Sequence, residues 1–464
     1  MSRILFRHVV VLAAALLCAG AWAGGIIEVP LVYEAYPDQA TEQGYRPQGY
    51  AYLPATESPP EGEWKLPELN SDKPVYGVVT IAEQERLLIL DQSDKNAFYN
   101  RVYFDINGNR DLTDDAPIDA LDVSSSGGQY YYAHFPGIDI DTDIDGVSMK
   151  FRFGVVVNYW SNQPVSWGSR ILNFFTGGAS APDSFNIRQL NLNIRSRCLY
   201  KAEFEIGDDK HRLILSDNNV NGRFDDRGKL NKEEPSYDGS IWPGGDMQYL
   251  FAADAKPNYR DGVTITDYLS LNDTLYGFGI NQAGNKLTLT PVTENLATLE
   301  LPVAVHRITM MADKASVAAI RPGRQIQAPA GTYRLLDYLL YKDEPEGARW
   351  QLWARGTWDS PEISAKAGER VPFPFGEPYR PQADIPAWMR QNMEHQDREW
   401  EEIQIELKIT GVANETISDL ICIENIEQSK IARSERSSFR PKEATYRIMK
   451  PDGEVHTQGA FEYG

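Results

Sequence analysis

The 464-residue chain carries 66 acidic against 46 basic side chains, a formal charge of −20. A surface this acidic repels nucleic acid and anionic membranes and attracts cations, although most of the charge serves solubility. Three cysteines in such a length exclude a disulfide-framework fold.

The first elements are a leader and a short irregular stretch. Arg3, Arg7 and His8 give a basic start, Val9 to Leu17 is apolar but too short to span a bilayer, and Ala21-Trp22-Ala23 supplies a small-x-small cleavage pattern. Residues 1–23 therefore read as a secretory signal peptide cut before Gly24, and the protein is expected outside the cytoplasm, in a periplasm or beyond. Leu17 precedes Cys18 where a lipid-attachment site needs a small residue, so lipidation is not expected. No later stretch has the roughly 18 apolar residues of a membrane helix, so the mature chain should have no transmembrane segment. Its residues, about 440, are too many for one core and suggest two or three domains. Cys198 and Cys422 lie in apolar strand-like runs (CLY and LICI) and read as small buried residues; a single bridge between them stays open.

Strand signals dominate the rest of the chain, which is expected to be mainly β: two loop-rich β modules, then a β-sandwich with one short inserted helix. Residues 24–73, rich in Pro, Gly, Tyr and Glu, read as irregular surface chain. Residues 74–180 and 181–298 each read as a β module with one Asp/Asn loop, and 299–464 as the sandwich. Met149 to Tyr159 and Glu402 to Thr410 show strand character, the second alternating polar and apolar without a break. Tyr446 to Phe461 reads as a hairpin around Pro451-Asp452-Gly453, and the C-terminus as the last strand of the sandwich. The one helix expected is an insertion near 385–400, capped by Asp384, with Pro386 in its first turn and Trp388, Met389, Met393 and Trp400 near one face. Asp139 to Gly146 alternates acids with other residues and reads as an edge strand and turn.

Two segments carry a more specific pattern. Asp105-Ile-Asn107-Gly-Asn109 and Asp217-Asn-Asn219-Val-Asn221 begin 112 residues apart, each after a strand-like run. Aligned on the first Asp, they share Asp at position one, Asn at three and five, an apolar residue at eight (Leu112, Phe224) and Asp at ten (Asp114, Asp226). Calcium takes six to eight oxygens, and side chains at one, three and five converge when a loop curls inward. The backbone carbonyls of Asp111 and Arg223 at position seven can add oxygens, and Asp115 and Asp225 bring further carboxylates. The apolar position eight would anchor each loop, and Gly222 at position six would ease the turn.

These segments resemble the calcium loops of EF-hand-like proteins, especially the dockerin-type bacterial extracellular versions. The resemblance implies structural Ca2+, with Asp105, Asn107, Asn109, Asp111, Asp114 and Asp115 in one site and Asp217, Asn219, Asn221, Arg223, Asp225 and Asp226 in the other. Both depart from the pattern: Ala116 and Gly228 replace the bidentate Glu at position twelve, and Arg110 stands where the first loop should have glycine. The closing carboxylate must come from positions nine to eleven or from elsewhere. Self-contained Asx turns are the alternative reading of the same residues. Farther on, Ala328-Pro329-Ala330-Gly331-Thr332-Tyr333 resembles the strand entry of prealbumin-like and carboxypeptidase-regulatory-like sandwiches.

Catalytic motifs are absent. His134, His211, His306, His395 and His456 show no zinc spacing, and there is no nucleophile elbow or phosphate loop. The sequence thus points to a non-catalytic, calcium-rigidified scaffold that binds a protein, cell-surface or glycan partner. The alternative is a carbohydrate-binding or carbohydrate-active protein with structural calcium, using Trp160, Trp167, Trp242, Trp350, Trp353 and Trp358 against sugar rings.

Overall fold

Several sheets are built on hairpins whose turns are written in the sequence. In the computed structural model, Val75–Ile81 turns into Gln84–Asp91 through Ala82 and Glu83, both left-handed (φ 51° and 65°). Tyr268–Leu271 turns into Thr274–Ile280 through Asn272 and Asp273 in the same way (φ 48° and 60°). Two consecutive left-handed residues match the right-handed twist of the flanking strands. The structure describes residues 25–461 apart from 39–46, 48, 95–96, 127–128, 145, 162–184, 234–235, 237–238, 254, 256–258, 387–388, 391–392 and 394–403. The expected leader, Trp167 and most of the expected helix lie outside the described residues; Met389, Arg390 and Met393 are helical within it.

The protein is mainly β. A four-stranded antiparallel sheet runs Val75–Ile81, Gln84–Asp91, Arg101–Phe104, Ile118–Asp119, and the first Asp/Asn loop joins its last two strands. A five-stranded sheet is ordered Gly262–Thr264, Met247–Ala252, Asp209–Ser216, Cys198–Ile206, Val32–Ala35, and the second loop leaves the end of Asp209–Ser216. A six-stranded sheet contains Tyr50–Leu53, Leu190–Ser196, Val147–Trp160, Tyr130–His134 and Asp122–Ser126. Ile138–Ile144 pairs on Val147–Trp160 with Asp139, Asp141 and Asp143 turned outward, so this acidic run is an edge strand and turn. A twelve-stranded sheet extends from Ile27–Pro30 and Lys286–Pro291 through Arg307–Ala312, Gly331–Asp343 and Arg349–Arg355 to Arg380–Asp384.

One hydrophobic core gathers residues from Val29 to Ala318 and is fed by both expected modules, including Val79, Phe104, Phe151, Leu213, Phe224 and Leu289. A second core is sandwich-like. Leu299, Ile326 and Ala328 of the three-stranded sheet (Gln325–Pro329, Leu296–Glu300, Arg370–Pro372) pack against Ile308, Met310 and Tyr338 of the twelve-stranded sheet. The boundary expected at 298 falls inside Leu296–Glu300, and the large sheet takes strands from both sides of it. Cys198 and Cys422 are buried and unpaired. No helix among the described residues is long and apolar enough to cross a membrane.

Two expectations change. The strand read from Glu402 begins at Glu406 in the described residues, after which Glu406–Thr410 pairs with Arg380–Asp384. The C-terminal hairpin forms, Thr445–Met449 with Val455–Ala460, but as a two-stranded sheet by itself rather than the last strand of the sandwich. Its residues are exposed or half-buried on both faces, so its alternation places no apolar row against a core. Tyr446 and Phe461 pack on each other, 5.1 Å between centroids, and close the open end of the ribbon. Truncation after Ala444 should therefore lower stability by less than about 1 kcal/mol, a surface-sized effect. Urea unfolding midpoints of the truncated and full chains check this; a loss of several kcal/mol would mean the ribbon is docked.

Candidate functional site

The two Asp/Asn loops share a turn with left-handed residues at the same two positions. In each, positions four and six are left-handed: Gly108 and Arg110 in the first (φ 72° and 65°), Val220 and Gly222 in the second (φ 60° and 80°). Each loop supplies glycine at one of these positions and a side-chain residue at the other, in opposite order. Arg110 is thus the structural counterpart of Gly222, and Gly108 that of Val220.

The position-one carboxylates hold these turns closed. Asp105, fully buried, accepts from Asn109 N (3.1 Å) and Arg110 N (3.2 Å). Asp217, also fully buried, accepts from Val220 N (2.6 Å) and Gly222 N (2.7 Å). The Asn oxygens at three and five then cap backbone two residues on. Asn107 Oδ1 takes Asn109 N and Asn109 Oδ1 takes Asp111 N; Asn219 Oδ1 takes Asn221 N and Asn221 Oδ1 takes Arg223 N. Both Asn amino groups of each loop converge on the position-ten carboxylate. Asn109 Nδ2 lies 2.8 Å from Asp114 Oδ2, with Asn107 Nδ2 at 3.5 Å; Asn219 and Asn221 Nδ2 lie 2.9 and 2.6 Å from Asp226 Oδ2. The residues expected at positions one, three, five and ten do come together.

The remaining candidates face other ways. Asp111 turns out to Lys65 (2.6 Å), and this contact with Thr113 pushes its carboxyl down to about 2. Asp225 is held by Arg223, Nε to Oδ1 3.1 Å, and Arg223 also reaches Glu83 at 2.9 Å. Asp115 accepts Ile106 N at 3.3 Å through Oδ1 while Oδ2 is buried without a partner among the described residues; burial pushes it up to about 6. The position-eight anchors behave as read. Leu112 sinks among Tyr76, Leu87, Ile89 and Tyr103 under Trp64 and Leu66, and Phe224 enters the main core edge-on to Tyr200 at 4.8 Å.

Two residues were missed. Asp246, twenty residues past Asp226, is fully buried and accepts Asn218 N and Asp226 N at 3.0 Å each. It closes the second loop from outside, and the Gly244-Gly245 turn before it was the available signal. Burial raises both Asp217 and Asp246; the charge of Asp217 pushes Asp246 up further, and Asp226 acts on both. Arg86, buried, supports the first loop from below by donating to Asp105 O (3.1 Å) and Ile106 O. Among the described residues, no three His, Cys, Asp or Glu side chains are grouped so as to hold a metal ion. A cation at either loop would rest on one carboxylate, Asp114 or Asp226, with the two Asn oxygens, each of which keeps a second lone pair.

A second feature lies on the six-stranded sheet. In register across one face stand Tyr52 with Asn193, Asn191 with Asn158 and Tyr132, and Trp160 with Tyr130. Tyr50, Tyr52 and Trp160 are 71%, 55% and 57% exposed. Elsewhere Trp350 is buried, Trp358 is half-buried under Arg334, and Arg355 stacks between exposed Trp242 and Trp353.

Compared with models of protein families, with curated proteins and with solved structures, the chain matches none.

Gly222→Ala should cost roughly 1–3 kcal/mol or more, because the new Cβ would be left-handed and 2.7 Å from Ile81 Cγ2. Phe224→Ala should cost about 3–5 kcal/mol. Denaturant unfolding measures both, and a neutral result at either would detach the loop from the core. The buried pair fixes a pH dependence. A carboxyl raised by folding contributes stability fully present below its unfolded pKa of about 4, and loses it as pH rises through the folded value. In chelator, stability should fall from about pH 4, through about pH 7 where Asp217 ionises, to about pH 9 where Asp246 does, and Asp246→Asn should flatten the upper part of that slope even if its absolute stability drops.

Proposed function

We propose that the chain is an exported, non-catalytic β scaffold that binds a partner, with its two Asp/Asn loops stiffened by calcium. The observation that carries this is the shared construction of the loops. Two stretches with little else in common place one carboxylate and two amide oxygens around the same turn of backbone. Calcium at Asp114 with Asn107 and Asn109, and at Asp226 with Asn219 and Asn221, would neutralise acid on a protein of charge −20. Backbone oxygens and water would complete the six to eight ligands. Neutral Asn at two of the positions fits the weak affinities of extracellular modules, roughly 0.1–1 mM. The role is structural: neither loop joins a pair of helices that could open a groove.

The test is thermal unfolding of the full chain in excess EGTA and in millimolar calcium, with magnesium beside it. At 100 times the dissociation constant, one site adds about 2.7 kcal/mol. Asp226→Ala should remove most of the second site's share. Equal melting in EGTA and calcium would leave the loops as self-contained Asx turns.

A second reading is favoured by the exposed face of the six-stranded sheet: the partner is a glycan. Aromatic rings offer flat apolar faces to sugar rings, and the amides of Asn158, Asn191 and Asn193 offer donors and acceptors to hydroxyls. Retention on an immobilised polysaccharide panel should be lost in Trp160→Ala and Tyr52→Ala and kept in Trp242→Ala. No retention of the wild type on any polysaccharide would remove the glycan and leave the scaffold reading with a protein partner.

A further inference from the structure

A cavity of about 80 Å³ lies where the five-stranded sheet meets hairpin ends of the twelve-stranded sheet. Its polar lining includes Asp209, Lys210, His211, His306 and Arg321. A water needs roughly 10–15 Å³ of comparable space, so the cavity admits a group of a few heavy atoms but no sugar ring or peptide. None of the calcium or glycan residues takes part in it.

Two observations point to an anion. The first is His211, 9% exposed, whose ring lies 5.7 Å from that of Phe204. Its Nε2 is buried and has no hydrogen-bond partner among the described residues. Buried side-chain nitrogens are nearly always satisfied, and an exception calls for a partner. The second is Arg321. Its backbone is left-handed (φ 48°) and tied by its N–H to His306 O at 2.8 Å. Its guanidinium makes no hydrogen bond or ion pair among the described residues. The neighbouring cations are already matched: Arg307 with Asp337 (2.8 Å), Arg349 with Asp343 (2.7 Å), Lys210 with Glu205 (3.2 Å). Burial and Arg321 hold both imidazoles below their ordinary range, against the pull of Asp209 on His211, and His306 at about 4 with help from Arg307 and Arg349. At neutral pH both rings are therefore neutral, and each can donate one N–H.

We propose that this cavity binds a small oxyanion, a single carboxylate or phosphate group seated between His211 Nε2–H and the Arg321 guanidinium. Arginine's planar fork suits either oxyanion. Asp209 at the same wall repels a second negative group, so the ligand presents one oxyanion end.

The experiment titrates the full chain with inorganic phosphate and, separately, with acetate, at an ionic strength held constant with chloride. The ring nuclei of His211 are followed by NMR and assigned by their loss in His211→Phe. Saturable shifts are expected with at least one anion, weakened roughly tenfold or more in Arg321→Gln, as befits removal of a charge-assisted hydrogen bond. Arg321 is exposed, so this variant keeps the fold, which the remaining spectrum verifies. Saturation by phosphate alone assigns a phosphoryl ligand, and by acetate alone a carboxylate. Shifts linear in both anions, or equal saturation in Arg321→Gln, overturn the proposal.

Discussion

The fold around the second Asp/Asn loop depends on a carboxylate that gives up water entirely. Both Asp217 oxygens are spent on the backbone N–H groups of Val220 and Gly222. Those bonds hold two left-handed residues in place, one of them a Val whose branched side chain disfavours that conformation. Once the turn is fixed, Phe224 points inward and the surroundings close on it. Ala82 N donates to Asn221 O at 2.8 Å, joining the tip of the Val75–Gln84 hairpin to the loop. Gly49 and Gly284 lie so close to Asp217 O and to Phe224 that neither could carry a Cβ. Three distant parts of the chain thus meet on one turn.

This arrangement sets burial against charge. Asp217 and Asp246 flank the same stretch of backbone, each satisfied by two N–H donors and each made harder to ionise by burial and by the charge of Asp226, with Asp217 adding to the difficulty at Asp246. The first loop meets the same problem with a cation. Buried Arg86 donates to the carbonyls of Asp105 and Ile106 and places its charge beneath the carboxylates. One loop is thus balanced by a fixed guanidinium and the other by a shared difficulty in losing protons, although both carry left-handed residues at positions four and six.

Local chemistry carried the legible part of the structure. Asp and Asn at alternate positions organise a loop by bonding their own backbone, so the two loops could be found by spacing. Their apolar position-eight anchors and the outward acids of Ile138–Ile144 follow equally local rules. The Gly244-Gly245 dipeptide marks a turn beside Asp246, but a turn does not say which loop twenty positions upstream its acid will close. The equivalence of Arg110 with Gly222 was hidden because a left-handed residue is recognisable only when it is glycine. The C-terminal hairpin was seen as a hairpin, but its isolation was not, since alternation alone does not say whether a core lies opposite. The large sheet escaped for a similar reason: its strands pair across the expected boundary at 298, and pairing partners leave no mark on either strand.

The N-terminal strands carry a consequence for the order of events during synthesis. Ile27–Pro30 pairs with Lys286–Pro291 and Val32–Ala35 with Cys198–Ile206, so two adjacent strands finish two different sheets. Val29 and Leu31 are buried between them. The chain cannot complete its main core until about 320 residues have been made; Val32–Ala35 must wait for Cys198–Ile206, and Ile27–Pro30 for Lys286–Pro291. Pairings that distant form slowly. The beginning of the protein would thus be among the last parts to find its place.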